Sequence, residues 1–184
     1  VLEFSSTIFI ALSLSYSGGS DSVLKKGKSL EKSKIYTTAA VIAALYAALT
    51  YAFAFMSYGA VQFRIAEILT VLPYFTPAAI PGLVVGCLLS NIGSPLGPID
   101  ILVGTSATLI ASLLSRIMPK YLVPFPPIIC NAVIVGLELY FLTNAPLVPT
   151  MLYVALGEAV VCLIGGYPFM YVVDRFKDKL FPQK

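Results

Sequence analysis

The stretch VQFRIAEILTVLPYFTPAAIPG, residues 61–82, decides the fold of this chain. It places Arg64 and Glu67 three residues apart, on one face of a helix, inside an otherwise apolar run. Charged side chains in hydrocarbon are costly, so by default they mark a functional site. The stretch is also broken by three prolines, Pro73, Pro77 and Pro81. Membrane helices tolerate such breaks where neighbours or a cavity satisfy the freed backbone groups. The stretch therefore predicts one wall of a polar pocket inside a helical membrane protein.

The composition assigns the whole chain to the membrane. Of its 184 residues, 58% are hydrophobic and 11% are charged, whereas a soluble domain carries roughly a quarter charged residues. No GxxxxGK[ST] phosphate loop occurs, so the chain is not itself a P-loop ATPase. Histidine is absent, which excludes His-based catalytic triads and His-containing metal sites, and we expect no cofactor. The three cysteines lack metal-ligand spacing, and we interpret them as small buried thiols: Cys87, Cys130 and Cys162.

Basic residues flank the apolar part of the chain on both sides. The two clusters are Lys25, Lys26, Lys28, Lys32 and Lys34 before it, and Arg175, Lys177, Lys179 and Lys184 after it. Because each cluster borders a hydrophobic segment, it indicates a cytoplasmic membrane flank rather than nucleic-acid binding. Residues 1–33 contain a linker-like SGGSDS and predict a disordered leader, an expression remnant or translated upstream sequence. We expect the membrane domain over residues 34–176 and a cytoplasmic tail over residues 177–184.

Six hydrophobic segments predict an all-α bundle of six transmembrane helices. They lie within residues 35–63, 61–75, 78–92, 99–117, 126–142 and 146–173. The second is short, since 15 residues of α-helix extend about 22 Å. If it crosses the membrane, Arg116, Lys120 and the C-terminal tail fall on the cytoplasmic side with the N-terminus. If it does not, both basic regions violate the positive-inside rule. We therefore predict six spans with both termini in the cytoplasm.

Small residues recur at every fourth position of the first predicted span. One stripe is Ala40, Ala44, Ala48 and Ala52, and a second beside it is Ala39, Ala43 and Ala47. Such a surface lets another helix approach closely. The sequence leaves open whether that helix belongs to this protein or to a partner chain. The third predicted span carries a similar pair, Gly82 and Gly86, in a GxxxG spacing.

Polar side chains are predicted to converge near the outer ends of four helices. They are Arg64, Glu67, Asn91, Asp100 and Glu138, with Glu158 deeper and Asn131 deeper still. Four acids against one arginine predict a site for a cationic or donor-rich ligand. A carboxylate suits the N–H edge of a purine-like ring because it accepts two parallel hydrogen bonds. Alternatively, Asp100 only caps its helix and Glu158 satisfies a broken one. Tyr58, in the first outer loop, is placed to close over a ligand.

Four motifs of the chain resemble the QueT family. They are QFRIAEILTVLPYFTPAAIPGLVVGCLLSN, DILVGTSATLIASLLSR, PPIICNAVIVGLEL and MLYVALGEAVVCLIGGYP. They cover residues 35–175 in order. Ala66 stands where the familiar form has serine, which leaves Arg64 and Glu67 intact. Members of this family are the substrate-binding S components of energy-coupling factor (ECF) transporters. They are taken to import queuosine precursors, chiefly 7-aminomethyl-7-deazaguanine.

The resemblance implies roles for particular residues. Ala40, Ala44 and Ala48 would face the transmembrane coupling subunit, whose ATPase pair powers transport. Glu67 and Glu138 would bind the ring edge or the amine of the substrate, Asn91 and Asn131 would add hydrogen bonds, and Arg64 would orient Glu67. We expect a substrate-capture subunit of the cell membrane, without enzymatic activity. The alternatives are an S component for another small vitamin, and a small intramembrane enzyme that uses paired acids.

Overall fold

The computed structural model describes residues 29–57 and 63–181, and these residues contain helices and no β-strand. Predictions on residues 1–28, 58–62 and 182–184 lie outside the described residues. The chain divides into two compact units, Val1–Thr37 and Thr38–Lys184. In the first unit, the Thr37 hydroxyl donates to the Ser33 carbonyl at 2.9 Å, within one helix.

Most helices follow the predicted hydrophobic segments closely, whereas the first begins and ends earlier than predicted. The helices are α1 (Ser29–Ala52), α2 (Ala54–Ser57), a 3-10 helix (Ile65–Tyr74), α3 (Ala79–Asn91), α4 (Pro98–Ile117), a short 3-10 turn (Lys120–Leu122), α5 (Phe125–Thr143), α6 (Leu147–Ala159) and α7 (Gly166–Leu180). Within the described residues, four helices are long and apolar enough to cross a membrane: Ser29–Ala52, Pro98–Ile117, Lys120–Thr143 and Leu147–Leu180. The predicted helical membrane fold is confirmed. The count of six spans stays a prediction, because the 3-10 helix and α3 are shorter.

The second predicted span is a 3-10 helix rather than an α-helix. It contains Pro73, which has no backbone N–H to donate. Its ten residues extend about 20 Å at the larger rise of this helix type, so it covers almost the length expected of the longer α-helix. Most of its side chains are buried, and it packs against α3, α4, α7 and the segment between α6 and α7. The charged stretch is therefore a central element of the bundle.

Helices α1 and α3 pack through the predicted GxxxG pair. A Cβ atom at Gly82 would lie 2.7 Å from the Ala39 carbonyl oxygen, and one at Gly86 would lie 2.7 Å from the Tyr46 Cβ. Only glycine permits this approach. The other alanine stripe of α1 is exposed over Ala40, Ala44, Ala48 and Ala52. The two stripes thus differ, because one packs inside this protein and the other does not.

The last helix is longer than predicted and changes its winding in the middle. A π-helical segment, Val160–Gly165, joins α6 to α7 so that one helix runs from Leu147 to Leu180. Pro168 follows this segment, and a proline cannot donate to the preceding turn. The wider π turn lies just before this proline, and the helix continues past Val173 to Leu180.

The basic end of the bundle is joined by polar contacts. Lys120 and Lys177 contact the Asp174 carboxylate at 2.7 and 3.3 Å. Arg116 Nη1 donates to the Pro73 carbonyl at 2.8 Å, which ties α4 to the end of the 3-10 helix. Asp100 lies in the first turn of α4 and Arg116 in its last turn, about 24 Å apart at helical rise. The acidic residues of α4 and its basic residues therefore occupy opposite ends of the bundle.

Candidate functional site

All the charged side chains predicted within the bundle are buried. Among the described residues the buried charged ones are Arg64, Glu67, Asp100, Glu138 and Glu158. Asn91 and Asn131 are buried with them. None of these side chains faces lipid, so the structure brings the predicted polar residues into the interior. The same burial is what makes each missing hydrogen-bond partner costly.

A deeper group of polar side chains surrounds Glu67. The Tyr46 hydroxyl, on α1, donates to Glu67 Oε1 at 2.5 Å. Asn131 Nδ2, on α5, donates to Glu158 Oε1 at 2.9 Å. Glu67 also interacts with the Asn131 side chain and lies within electrostatic range of Glu158. We grouped Glu67 with the outer residues from the sequence, whereas its contacts join it to the deeper ones.

An outer group lies where α3, α4 and α5 meet. Asn91 Nδ2 donates to the backbone oxygen of Asp100 at 2.9 Å, which connects the end of α3 to the start of α4. Glu138, near the end of α5, interacts electrostatically with Asp100 and Arg64. Arg64 immediately precedes the 3-10 helix and lies within electrostatic range of Glu67 as well. Arg64 thus lies between the two groups.

The contacts of Asp100 and Glu158 differ from the structural roles considered for them, a helix cap for Asp100 and a partner for a broken helix for Glu158. Helix α4 begins after Gly97 and has no side-chain capping hydrogen bond, so Asp100 is not its cap. Glu158 does precede an irregular segment of helix. Its oxygens nevertheless accept hydrogen bonds from the side chains of Asn131 and Cys162, at 2.9 and 3.7 Å. Both acids therefore point toward other polar side chains.

Glu67 is held by a tyrosine rather than by the arginine predicted to orient it. Ion pairs among the described residues join Asp174 to two lysines, and none joins Arg64 to Glu67. The short hydrogen bond to Glu67 comes from Tyr46, which is fully buried. The sequence analysis did not single out Tyr46. Its position could have indicated this role. Tyr46 lies on the charge-free first span, away from the Ala40 stripe, and a hydroxyl buried there needs an acceptor.

Cys87 is a second polar contact that the sequence analysis missed. Its sulfur accepts from Thr108 Oγ1 at 3.2 Å, from Asn91 Nδ2 at 3.6 Å and, at long range, from Arg64 Nη1 at 3.9 Å. Sulfur is a weak acceptor, so each contact is modest. Together they place this thiol among three donors from the 3-10 region, α3 and α4. The position of Cys87 in the sequence did not predict these contacts.

Several buried polar atoms of the two groups have no partner among the described residues. They are Arg64 Nε, Glu67 Oε2, Asn91 Oδ1 and both carboxylate oxygens of Glu138. Most buried polar atoms in proteins are hydrogen-bonded, so a cluster of exceptions requires an explanation. Four of these five atoms are acceptors, which matches a ligand that is rich in donors. Tyr58, predicted to close over such a ligand, lies outside the described residues.

These observations define a class: an all-helical integral membrane protein whose bundle encloses a buried, incompletely paired polar cluster. The chain belongs to the QueT transporter family, whose family model matches residues 36–175. This confirms the family resemblance found in the motifs. A protein named "Queuosine precursor transporter QueT", from Lactococcus lactis subsp. cremoris (strain MG1363), is 31% identical over 157 residues. The alignment covers 75% of this chain and 92% of that protein. No solved structure matches the chain.

Proposed function

We propose that this protein is the substrate-binding S component of an ECF-type transporter that imports a queuosine precursor, 7-aminomethyl-7-deazaguanine or a related deazapurine. The observation that carries the proposal is the set of unpartnered acceptors on Glu67, Asn91 and Glu138, buried inside the bundle. A deazaguanine ring offers N–H donors on one edge, and its aminomethyl group offers a cation. Buried acceptors without partners gain most from such a ligand.

The substrate class is supported by the family and by the name of the relative. Membership of the QueT transporter family fits a membrane protein that carries a solute rather than an enzyme. The Lactococcus relative is named a queuosine precursor transporter, and it aligns over most of both chains. The alternative ligands are other small vitamins. The alternative of an intramembrane enzyme has no further support in the polar cluster.

Within this proposal, each predicted residue takes a role in binding. Glu67 and Glu138 bind the ring edge or the amine of the ligand, Tyr46 holds one oxygen of Glu67, and Asp100 adds negative charge. The remaining polar residues of the site, whose side chains add hydrogen bonds or charge balance, are Arg64, Asn91, Asn131, Glu158 and Tyr58. The protein binds its substrate and leaves ATP hydrolysis to partner subunits.

The exposed alanine stripe of α1 is the proposed docking surface for the transmembrane coupling subunit. Ala40, Ala44 and Ala48 are exposed, whereas Ala43 on the neighbouring stripe is buried against Gly86. A surface of small side chains lets a partner helix approach closely. The coupling subunit would in turn bind the ATPase pair. In this arrangement six segments cross the cell membrane, both termini are cytoplasmic, and the polar site opens outward.

The proposal is tested by direct binding of 7-aminomethyl-7-deazaguanine to purified protein, measured by isothermal titration calorimetry. We expect Glu67→Ala to weaken binding by about 1–3 kcal/mol, because a charged hydrogen-bond partner is lost. Asp174→Ala is the matched control, since it removes a partly exposed acid at the opposite, basic end. The affinity of Asp174→Ala for the ligand should equal that of the wild type.

Three outcomes would contradict parts of the proposal. Unchanged affinity of Glu67→Ala would remove Glu67 from the site. A thermal-shift panel of small vitamins, in which another compound stabilises the protein and the deazaguanine does not, would change the substrate. Product formed by the protein alone, without a coupling subunit or nucleotide, would identify an enzyme instead.

A further inference from the structure

The buried acids of this bundle differ in whether the protein supplies them with a donor. Glu67 receives the Tyr46 hydroxyl at 2.5 Å, and Glu158 receives the Asn131 amide at 2.9 Å. Neither oxygen of Glu138 has a donor from a neutral side chain among the described residues, and the side chain within hydrogen-bonding range of it, Asp100, is another carboxyl. This distinction was not visible in the sequence, where Glu67 and Glu138 were equivalent candidates.

Glu138 has little exposed surface and has more negative than positive charge around it. Its residue is 5% exposed, and Asp100, one of its electrostatic neighbours, is 2% exposed. The other charged neighbour is Arg64, so two carboxylates share one guanidinium. A buried carboxylate without a donor is costly, and a cation placed against it removes that cost. A ligand cation bound between the two carboxylates would remove this cost.

Glu67 offers a different kind of contact. One of its oxygens is occupied by Tyr46, and the other, Oε2, is buried and free. Its surroundings include the Asn131 side chain and Arg64, which lies within electrostatic range. A single free acceptor beside an amide suits an uncharged N–H group better than a free cation. The two acids thus present chemically distinct positions to one ligand.

We propose that Glu138, with Asp100 beside it, forms a cation subsite that binds the charged amine of the ligand and discriminates it from neutral analogues. Glu67 binds the uncharged ring edge. This assignment rests on the proposed function. It adds which residue distinguishes between deazaguanines that have the same ring and differ in the group attached to it. Glu138 is a specificity-determining residue of the site.

The test compares two ligands that differ only in the group on the ring. 7-Aminomethyl-7-deazaguanine carries a cationic amine, and 7-cyano-7-deazaguanine is neutral at that position. Dissociation constants for both are measured with purified wild type, Glu138→Gln and Glu67→Gln. Glutamine keeps the shape of the side chain and removes its negative charge. We expect Glu138→Gln to lose about tenfold or more in affinity for the amine, and less than about threefold for the nitrile.

The control variant should behave differently. Glu67→Gln is expected to weaken both ligands by a similar factor, so the ratio of the two dissociation constants stays near that of the wild type. Binding of the nitrile by Glu138→Gln also reports that this variant is folded. If Glu138→Gln does not fold, Asp100→Asn removes the neighbouring charge, and we expect the same selective loss for the amine.

The outcomes separate this inference from the proposed function. If the wild type binds neither ligand, both the cation subsite and the proposed function are wrong. If the wild type binds them but Glu138→Gln weakens both equally, or neither, the cation subsite is wrong while the proposed function stands. An unchanged amine affinity in Glu138→Gln would show that a negative charge at Glu138 does not contribute to amine binding, and it would overturn the cation subsite.

Discussion

Tyr46 connects the first helix to the carboxylates of the site. Its ring packs in the core cluster that contains Leu83 and Cys87, and its hydroxyl reaches Glu67. The hydroxyl therefore does more than fill space, because without it Glu67 would have two unpartnered oxygens in the bundle interior. At the residue scale, the proposed site therefore includes supporting contacts as well as the acids.

Removing the Tyr46 hydroxyl should weaken ligand binding. We expect Tyr46→Phe to reduce affinity for 7-aminomethyl-7-deazaguanine by about tenfold, because Glu67 loses the donor that orients it. Tyr51→Phe is the control, since Tyr51 lies on the same helix and donates instead to the Leu89 carbonyl at 2.7 Å, half exposed. Calorimetry measures both. Equal effects of the two substitutions would contradict a role for Tyr46.

The three donors around Cys87 lead to a second prediction at this scale. Cys87→Ala removes the acceptor shared by Arg64, Asn91 and Thr108, and we expect a loss of affinity of about threefold, as sulfur contacts are weak. Cys130→Ala is matched, because Cys130 is also a buried thiol. Its cavity cost is similar, so the difference in affinity between the variants isolates the polar contribution. A larger loss in Cys130→Ala would refute the prediction.

At the scale of elements, the approach of α1 to α3 positions Tyr46 against the 3-10 helix. A side chain at Gly86 would meet the Tyr46 Cβ at 2.7 Å and the Ala43 carbonyl oxygen at 2.9 Å. These atoms belong to backbone or lie next to it, so they cannot move away without separating the helices. The glycine pair is therefore part of the site's support although it touches no ligand.

Gly86→Ala should consequently lower the thermal stability of the purified protein. We expect a lower apparent Tm in detergent, with a loss of about 1–3 kcal/mol from overpacking, and weaker ligand binding as Tyr46 shifts. Gly166→Ala is the control, because its Cβ would meet only Val71 Cγ1, at an ordinary 3.5 Å. That variant should be as stable as the wild type or more stable, since alanine favours helix. The reverse order of stabilities would contradict the packing described.

At the scale of the whole molecule, the two faces of α1 have separate tasks in the proposed transporter. Ala44 lies on the exposed stripe, and Tyr46, two residues on, lies on the buried face. One helix thus carries the proposed partner surface and a contact to the site. Assembly and substrate binding should be separable by substitution.

We expect Ala44→Trp to prevent assembly with the coupling subunit and to leave substrate affinity within about twofold, because a large side chain blocks close helix approach. Leu102→Trp is the matched control, since Leu102 is 73% exposed on α4 and away from the stripe. Co-purification with the coupling subunit and its ATPases measures assembly, and calorimetry measures affinity. Retained assembly in Ala44→Trp would place the partner surface elsewhere.

The predicted elements agree with the structure where hydropathy alone decides them. The segments that form α4 and α5 were located to within one residue at each end, because about twenty apolar residues leave few alternatives to a membrane helix. The first helix, Ser29–Ala52, begins and ends earlier than its predicted segment, residues 35–63. The segment at Ile65–Tyr74 was located but not its helix type. The 3-10 conformation of this segment depends on Pro73 and on the neighbouring helices that surround the segment on most sides. The hydrophobic periodicity of the sequence does not predict which helices those are.

The sequence by itself determined that this protein is a helical membrane protein, which polar residues its interior contains, and which family it belongs to. Hydropathy, charge and motifs can be read directly from the linear sequence. Only the tertiary structure decided which acids have donors. Tyr46 and Glu67 are 21 residues apart, and Asn131 and Glu158 are 27 apart. Hydrogen bonds form over about 3 Å, so the pairing depends on how the helices pack, and that packing leaves Glu138 without a donor.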